Sequence, residues 1–245
     1  MKVMCSRYFI DSEILYTLER NDTSNTYKDI FQEGDIHPAD TAPVLADRIA
    51  IGGAMTSLQK GKQDGLRFQN PEVREMKWGF PSAQSNQLMI NARAETVLEK
   101  RSFSESVLHR RCAIPARQFY EWDQNKNKFI FNCLPNIEKT TNVLKSTDDI
   151  SGQESIMYMA GFYQLFDDGE HFVIITTQAN ETMSQIHDRM PLLLTEDEMK
   201  DWIYDDNKIR ILLKNKLLKL ECKMENKKEV LKSKEYKQLS LFEFI

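Results

Sequence analysis

Apolar and polar residues follow two periods along this chain. Strand-like runs fill the middle: CAIPARQFYEW (112–122), KFIFNCL (128–134), IMYMAGFYQLF (156–166) and HFVIITTQA (171–179). The last is the clearest, because β-branched residues dominate it and a DDG turn precedes it. Helical spacing shows in DSEILYTLER (11–20), where Ile14, Leu15 and Leu18 share a face and Asp11 or Ser12 can cap. SFSESVLHRR (102–111) reads as a helix opened by Ser102, with Glu105 completing an S-x-x-E box. Residues 180–187 predict a short helix. Thr195 and Glu198 form a second box that opens a helix around 199–203. Residues 21–35 are polar and turn-rich, and 52–80 alternate loop signals with short apolar pieces. Strands with helices interspersed irregularly, and no repeats, predict one α+β domain over 1–225. A lysine-rich tail, 226–245, follows it. No Gly-rich strand–turn–helix is present, which removes the nucleotide-binding readings.

Composition changes this picture little. A chain of 245 residues with 41% hydrophobic residues and 13 Phe can bury a sizeable core. No apolar run reaches membrane-spanning length, and no basic-then-apolar start suggests secretion, so the expectation is a cytoplasmic protein with no membrane partner. The net charge of −4 argues mildly against nucleic acid, but it is a mean that leaves room for local basic clusters. Cys5, Cys112, Cys133 and Cys222 are scattered with no CxxC pair, which argues against a zinc site; no metal or organic cofactor is expected. Cys112, Cys133 and Cys222 are expected to be reduced core thiols.

Four short stretches combine reactive groups with apolar surroundings. MCSR carries Cys5. In INARAET, Asn91, Arg93 and Glu95 alternate, so on an extended segment they point the same way. FYEW sets Glu121 between Tyr120 and Trp122, where burial favours the neutral acid and suits general acid–base work. IHDRMP places His187 and Arg189 around Asp188. Taken singly, each has a plain alternative: Glu121 paired with an arginine, His187 satisfied at a helix end, Arg93 and Glu95 as one surface ion pair.

Taken together and in order, MCSR, WGF, NARAET, C-x-IPA-x-x-FYEW, AGFY, TTQAN and HDRMP resemble the signature set of the SRAP family, the SOS response-associated peptidases or abasic-site processing proteins. The resemblance implies a mixed-sheet, barrel-like β core with surrounding helices. It implies a DNA-damage protein whose N-terminal cysteine crosslinks to the ring-opened aldehyde of an abasic site in single-stranded DNA. Mapped by motif, Cys5 is the nucleophile and Asn91, Glu121 and His187 support it. Arg7, Arg93 and Arg189 hold phosphates, and Trp78 either stacks on a base or packs in the core. The chemistry is sound on its own terms. An N-terminal cysteine has an α-amine and a thiol of reference pKa about 8 and about 8.5, so both are partly deprotonated near neutrality. The amine condenses with the aldehyde to an imine, and the thiolate closes a five-membered thiazolidine ring.

Two features stand beside that pattern. MKV precedes Met4, and an internal cysteine has no free amine. The expected resolution is translation from Met4 with removal of that methionine; the alternative is self-cleavage at the Met4–Cys5 bond, with Glu121 and His187 carrying protons. Ser6 and Gln118 stand where the family usually has glycine, and the loop after WGF lacks a second tryptophan. The tail ends in QLSLF, which resembles the peptide that binds bacterial sliding clamps. Gln238 would hydrogen-bond at the rim while Leu239, Leu241 and Phe242 supply apolar contact. A final segment packed on the domain is the alternative. Such a protein belongs at the bacterial nucleoid.

Overall fold

The computed structural model describes residues 6–21, 31–47, 71–82, 85–133, 155–214 and 219–225. Cys5 and the whole tail, with Gln238, Leu239, Leu241 and Phe242, lie outside the described residues. In chain order the first elements are β1 (Tyr8–Ile10), α1 (Ser12–Asn21), β2 (Gly34–Ile36), β3 (Thr41–Ala46), β4 (Glu72–Trp78), β5 (Phe80–Ser82), β6 (Ser85–Met89) and β7 (Asn91–Arg93). Next come α2 (Ser104–His109), β8 (Arg111–Ala116), β9 (Gln118–Trp122), β10 (Lys128–Cys133), β11 (Met157–Phe166) and β12 (Gly169–Gln178). The last are α3 (Glu181–Ser184), β13 (Arg189–Pro191), β14 (Leu193–Leu194), α4 (Glu196–Tyr204), α5 (Ile209–Leu212) and β15 (Leu220–Met224).

Five strands close on themselves. β12 pairs with β4 in parallel, and β4–β3, β3–β8, β8–β11 and β11–β12 pair antiparallel. Closure leaves no edge within the ring and encloses an apolar interior. A second, antiparallel sheet runs β15-β10-β9-β1-β2. The two meet where Tyr8 of β1 packs on Trp78 of β4, ring centroids 5.2 Å apart. The α+β reading with a barrel-like core and surrounding helices therefore holds.

The predicted strand 112–122 is two strands in two different sheets. The chain turns at Arg117, whose guanidinium meets Asp11 at 2.5 Å and Glu13 at 2.7 Å at the start of α1. Its amide donates to the Phe9 carbonyl at 2.9 Å. Asp11 also caps α1, accepting the Ile14 amide at 2.9 Å. The Thr195–Glu198 capping box forms as expected, at 3.2 and 2.9 Å. The Ser102 box does not. α2 starts after Phe103, with no side-chain cap, because turns already occupy the preceding residues: the Lys100 carbonyl takes the amides of Phe103 and Ser104, each at 2.9 Å. Glu105 instead pairs with Arg110 at 3.2 Å. β3 and β4 are strands that loop signals over 52–80 and Pro43 obscured.

Two helices are tied together by a buried Arg111. Its guanidinium donates to the carbonyls of Leu108 (2.5 Å), Val107 (3.2 Å), Trp202 (2.5 Å) and Ile203 (3.2 Å) and pairs with Asp206 at 2.6 Å. These carbonyls close the C-terminal turns of α2 and α4, where a cation is favoured. Cys112 and Cys133 are buried free thiols, as expected, and burial pushes the Cys133 thiol up to about 12. Cys222 is only half-buried, because it sits on an edge strand. Among the described residues no helix is long and apolar enough to cross a membrane.

Candidate active site and nucleic-acid interface

β12 organises the site. Its first half lies in the ring between β4 and β11, and its second half is flanked by β7 on one side and β13 on the other. Ile174, Ile175 and Thr176 pair in parallel with Asn91, Ala92 and Arg93. Thr176, Thr177 and Gln178 pair antiparallel with Pro191, Met190 and Arg189. NARAET and HDRMP, far apart in sequence, thus become neighbours across one strand.

Within NARAET the expected alternation holds for the first residues: Asn91 is half-buried, Ala92 buried and Arg93 exposed. The chain then turns, the Ala94 amide donating to the Thr176 carbonyl at 2.8 Å. Glu95 pairs not with Arg93 but with Arg189. Nη1 and Nη2 of Arg189 reach the two Glu95 oxygens at 2.7 and 2.9 Å. Nη2 also donates to the Thr176 carbonyl at 2.7 Å. This two-pronged bond holds the Glu95 carboxyl below its ordinary value of 4.5. Arg93, by contrast, presents its side chain to solvent.

His187 follows α3, a single turn capped by Asn180, which accepts the Met183 amide at 2.9 Å. The His187 amide donates to the Met183 carbonyl at 3.0 Å, so the ring is set by the end of that turn. Nδ1 lies 3.1 Å from the Arg189 amide nitrogen and 2.9 Å from Oδ1 of Asp188. α3 reaches the second sheet through Thr182, whose hydroxyl donates to the Leu220 carbonyl of β15 at 3.5 Å.

Glu121 lies on β9 in that second sheet. It is 3% exposed, and strand alternation puts it on the face shared by Phe119 and Tyr8, which looks toward the ring. Phe119 stacks on Phe131 at 5.0 Å beside it. Arg7 is held to the same strand, its carbonyl accepting the Tyr120 amide at 3.0 Å. Its side chain belongs to the other face, with the guanidinium 5.2 Å from the Trp122 ring and 3.6 Å from Asp35. Lys128 lies 3.9 Å from the Tyr120 ring on that face too. Burial raises the Tyr120 hydroxyl well above its ordinary value, so it stays protonated.

The structure therefore gathers Asn91, Arg93, Glu95, His187 and Arg189 about the second half of β12, with Glu121 on the adjoining sheet. Arg7 stands on the opposite face of its strand from Glu121. Trp78 is a correction. It is 0% exposed, stacked on Phe172 at 6.1 Å and against Tyr8, with Nε1 donating to the Ile90 carbonyl at 3.1 Å. A base cannot reach it; its ring joins the two sheets. Trp122, half-buried beneath Arg7, is the aromatic that sequence reading passed over, although it stood in FYEW.

A profile of the family described as SOS response associated peptidase (SRAP) matches residues 4–230. The chain is 32% identical over 215 residues to the abasic site processing protein YoqW of Bacillus subtilis, covering 83% of this chain and 82% of that one. It is 32% identical over 204 residues to the abasic site processing protein HMCES of Xenopus tropicalis, covering 75% of this chain and 56% of that one. A crystal structure of a protein from Bacteroides thetaiotaomicron shares the fold, with TM-score 0.62 and 22% identity over 91% of this chain and 93% of that one. The ring of strands, the motifs gathered about β12 and these likenesses lead to one conclusion: the chain belongs to the SRAP family.

Proposed function

We propose that this protein processes abasic sites in single-stranded DNA during the DNA damage response, by covalent capture through Cys5. The observation that carries the reading is the bond between the Arg7 carbonyl and the Tyr120 amide. It fastens Arg7 beside the strand that carries Glu121, and Cys5 is only two residues upstream in sequence. Relatives named abasic site processing proteins support abasic sites as the substrate.

In this scheme the Cys5 amine adds to the C1 aldehyde of the ring-opened sugar and loses water to give an imine. The thiolate then adds to the imine carbon and the nitrogen takes up a proton, closing the thiazolidine with no change of oxidation state. Glu121, shielded from water, carries protons during addition and dehydration. His187 assists opening of the sugar ring, and Asn91 orients the amine. Arg93 and Arg7 supply phosphate contacts, and Trp122 offers a face to a neighbouring base. Imine chemistry also permits lyase-type strand cleavage, and attack of the Cys5 thiol on the Met4 carbonyl would free the Cys5 amine and leave a thioester, which water would hydrolyse to release MKVM. QLSLF in the tail would dock a sliding clamp, bringing the protein to stalled replication at the nucleoid. A pull-down with purified clamp tests this, and a Leu241→Ala, Phe242→Ala variant should lose the clamp.

The deciding experiment uses two forms, one beginning at Cys5 and one at Met1, each mixed with a single-stranded oligonucleotide holding one abasic site. A denaturation-resistant adduct with the Cys5-first form alone is expected. Equal adducts from both forms would remove the amine from the chemistry, and none from either would overturn covalent capture.

A further inference from the structure

Glu95 has no part in the scheme above, yet both of its oxygens bind one guanidinium. The guanidinium it holds belongs to Arg189, whose own backbone amide points at Nδ1 of His187, 3.1 Å away. A backbone N–H can only donate, so Nδ1 must accept there, and the proton of the neutral ring must sit on Nε2. Asp188 competes for the opposite arrangement. Its Oδ1 is 2.9 Å from the same Nδ1, and a carboxylate can only accept, so that contact needs the proton on Nδ1. One neutral imidazole cannot satisfy both.

Which partner wins depends on how firmly the Arg189 amide is held. β13 is only three residues long, and Arg189 is its first. Asp188 beside it is 85% exposed at its side chain, free to give its carboxylate to water. The Arg189 side chain is anchored at four points: both oxygens of Glu95, and the carbonyl and hydroxyl oxygens of Thr176. That carbonyl also takes the Ala94 amide, so the turn bearing Glu95 and the start of β13 are fixed to one atom of β12. We infer that Glu95 is a positioning residue: through Arg189 it holds His187 with its proton on Nε2. The role of His187 in catalysis rests on the function proposed above; the tautomer itself does not.

The test pairs a spectroscopic and a kinetic readout on the Cys5-first protein and its Glu95→Gln and Glu95→Ala variants. Nitrogen NMR of the four histidines, with His187 assigned by substitution, should show protonated Nε2 and bare Nδ1 in the wild type. In both variants the Nδ1-protonated form should grow. Adduct formation at saturating DNA should slow by about tenfold or more, as small misplacements of a catalytic group do. Noncovalent affinity and its salt dependence should stay as they were. An unchanged tautomer, or an unchanged rate, overturns the inference. So does tighter DNA binding with a salt slope steeper by about 0.7, which would mean that Glu95 masks a phosphate contact of Arg189. If the wild type forms no adduct at all, the proposed function fails, while the NMR result still decides the latch.

Discussion

The Arg7 carbonyl accepts the Tyr120 amide at 3.0 Å, one residue before the buried carboxyl of Glu121. Backbone pairing therefore holds Arg7 on the strand that carries the acid. Glu121→Gln keeps the shape and removes the proton carrier. Adduct formation should fall by about a hundredfold or more, the usual worth of a positioned acid–base group. Thermal stability and DNA affinity should change little. A denaturing gel time course against a melting curve measures both, and an unchanged rate would take Glu121 out of the mechanism.

Arg93 is the exposed cation beside β12, whereas Arg189 is held by Glu95. Arg93→Ala should weaken single-stranded DNA binding and lower the slope of log affinity against log salt by about 0.7, one phosphate's share. The loss should be alike for oligonucleotides of different sequence. Titrations at several salt concentrations, scored by fluorescence anisotropy, check it.

The two tryptophans should separate cleanly. Trp78→Ala removes a fully buried ring between the sheets and should cost about 3–5 kcal/mol of stability. Trp122→Ala should leave the melting temperature nearly unchanged and weaken single-stranded DNA binding by about 1–3 kcal/mol, the worth of one stacked base. Denaturant unfolding and binding isotherms on both variants decide the matter.

The Glu95–Arg189 pair carries a pH signature. Arg189 lowers the folded-state pKa of Glu95, so the pair's contribution is fully present above the ordinary carboxyl value of 4.5. It is lost as pH falls through the lower folded value. The melting-temperature gap between wild type and Glu95→Gln should therefore be constant from neutral pH to about 5 and close at more acid pH. A gap that closes between pH 7 and 6 would assign it to another group.

Much of the fold was readable because its signals are local. The β-branched run at 171–179 became β12, the Asp11 and Thr195 caps formed, and helical spacing at 11–20 gave α1. What failed depends on distant residues. The break at Arg117 is decided by Asp11 and Glu13, about a hundred residues away, so periodicity read one strand where two sheets meet. The site shows the same division. NARAET and HDRMP marked out candidate residues, but only β12 makes them neighbours, and Glu95 pairs with Arg189 rather than Arg93 for that reason. Trp78 stayed open between two readings because an aromatic in a motif reads alike whether it stacks on a ligand or on Tyr8 and Phe172.

β12 makes mistakes expensive for evolution. It is laddered to β4, β7, β11 and β13, so sliding it by one residue would turn Thr176 away from both Arg189 and Ala94 while unzipping the ring. Inheritance along this strand is thus all-or-none. A change that shifts this strand would disturb the candidate site and the ring together, so a stable but mis-set version of the site is hard to reach by drift. Variation in what the site recognises should instead accumulate in the residues that hang from β12's neighbours.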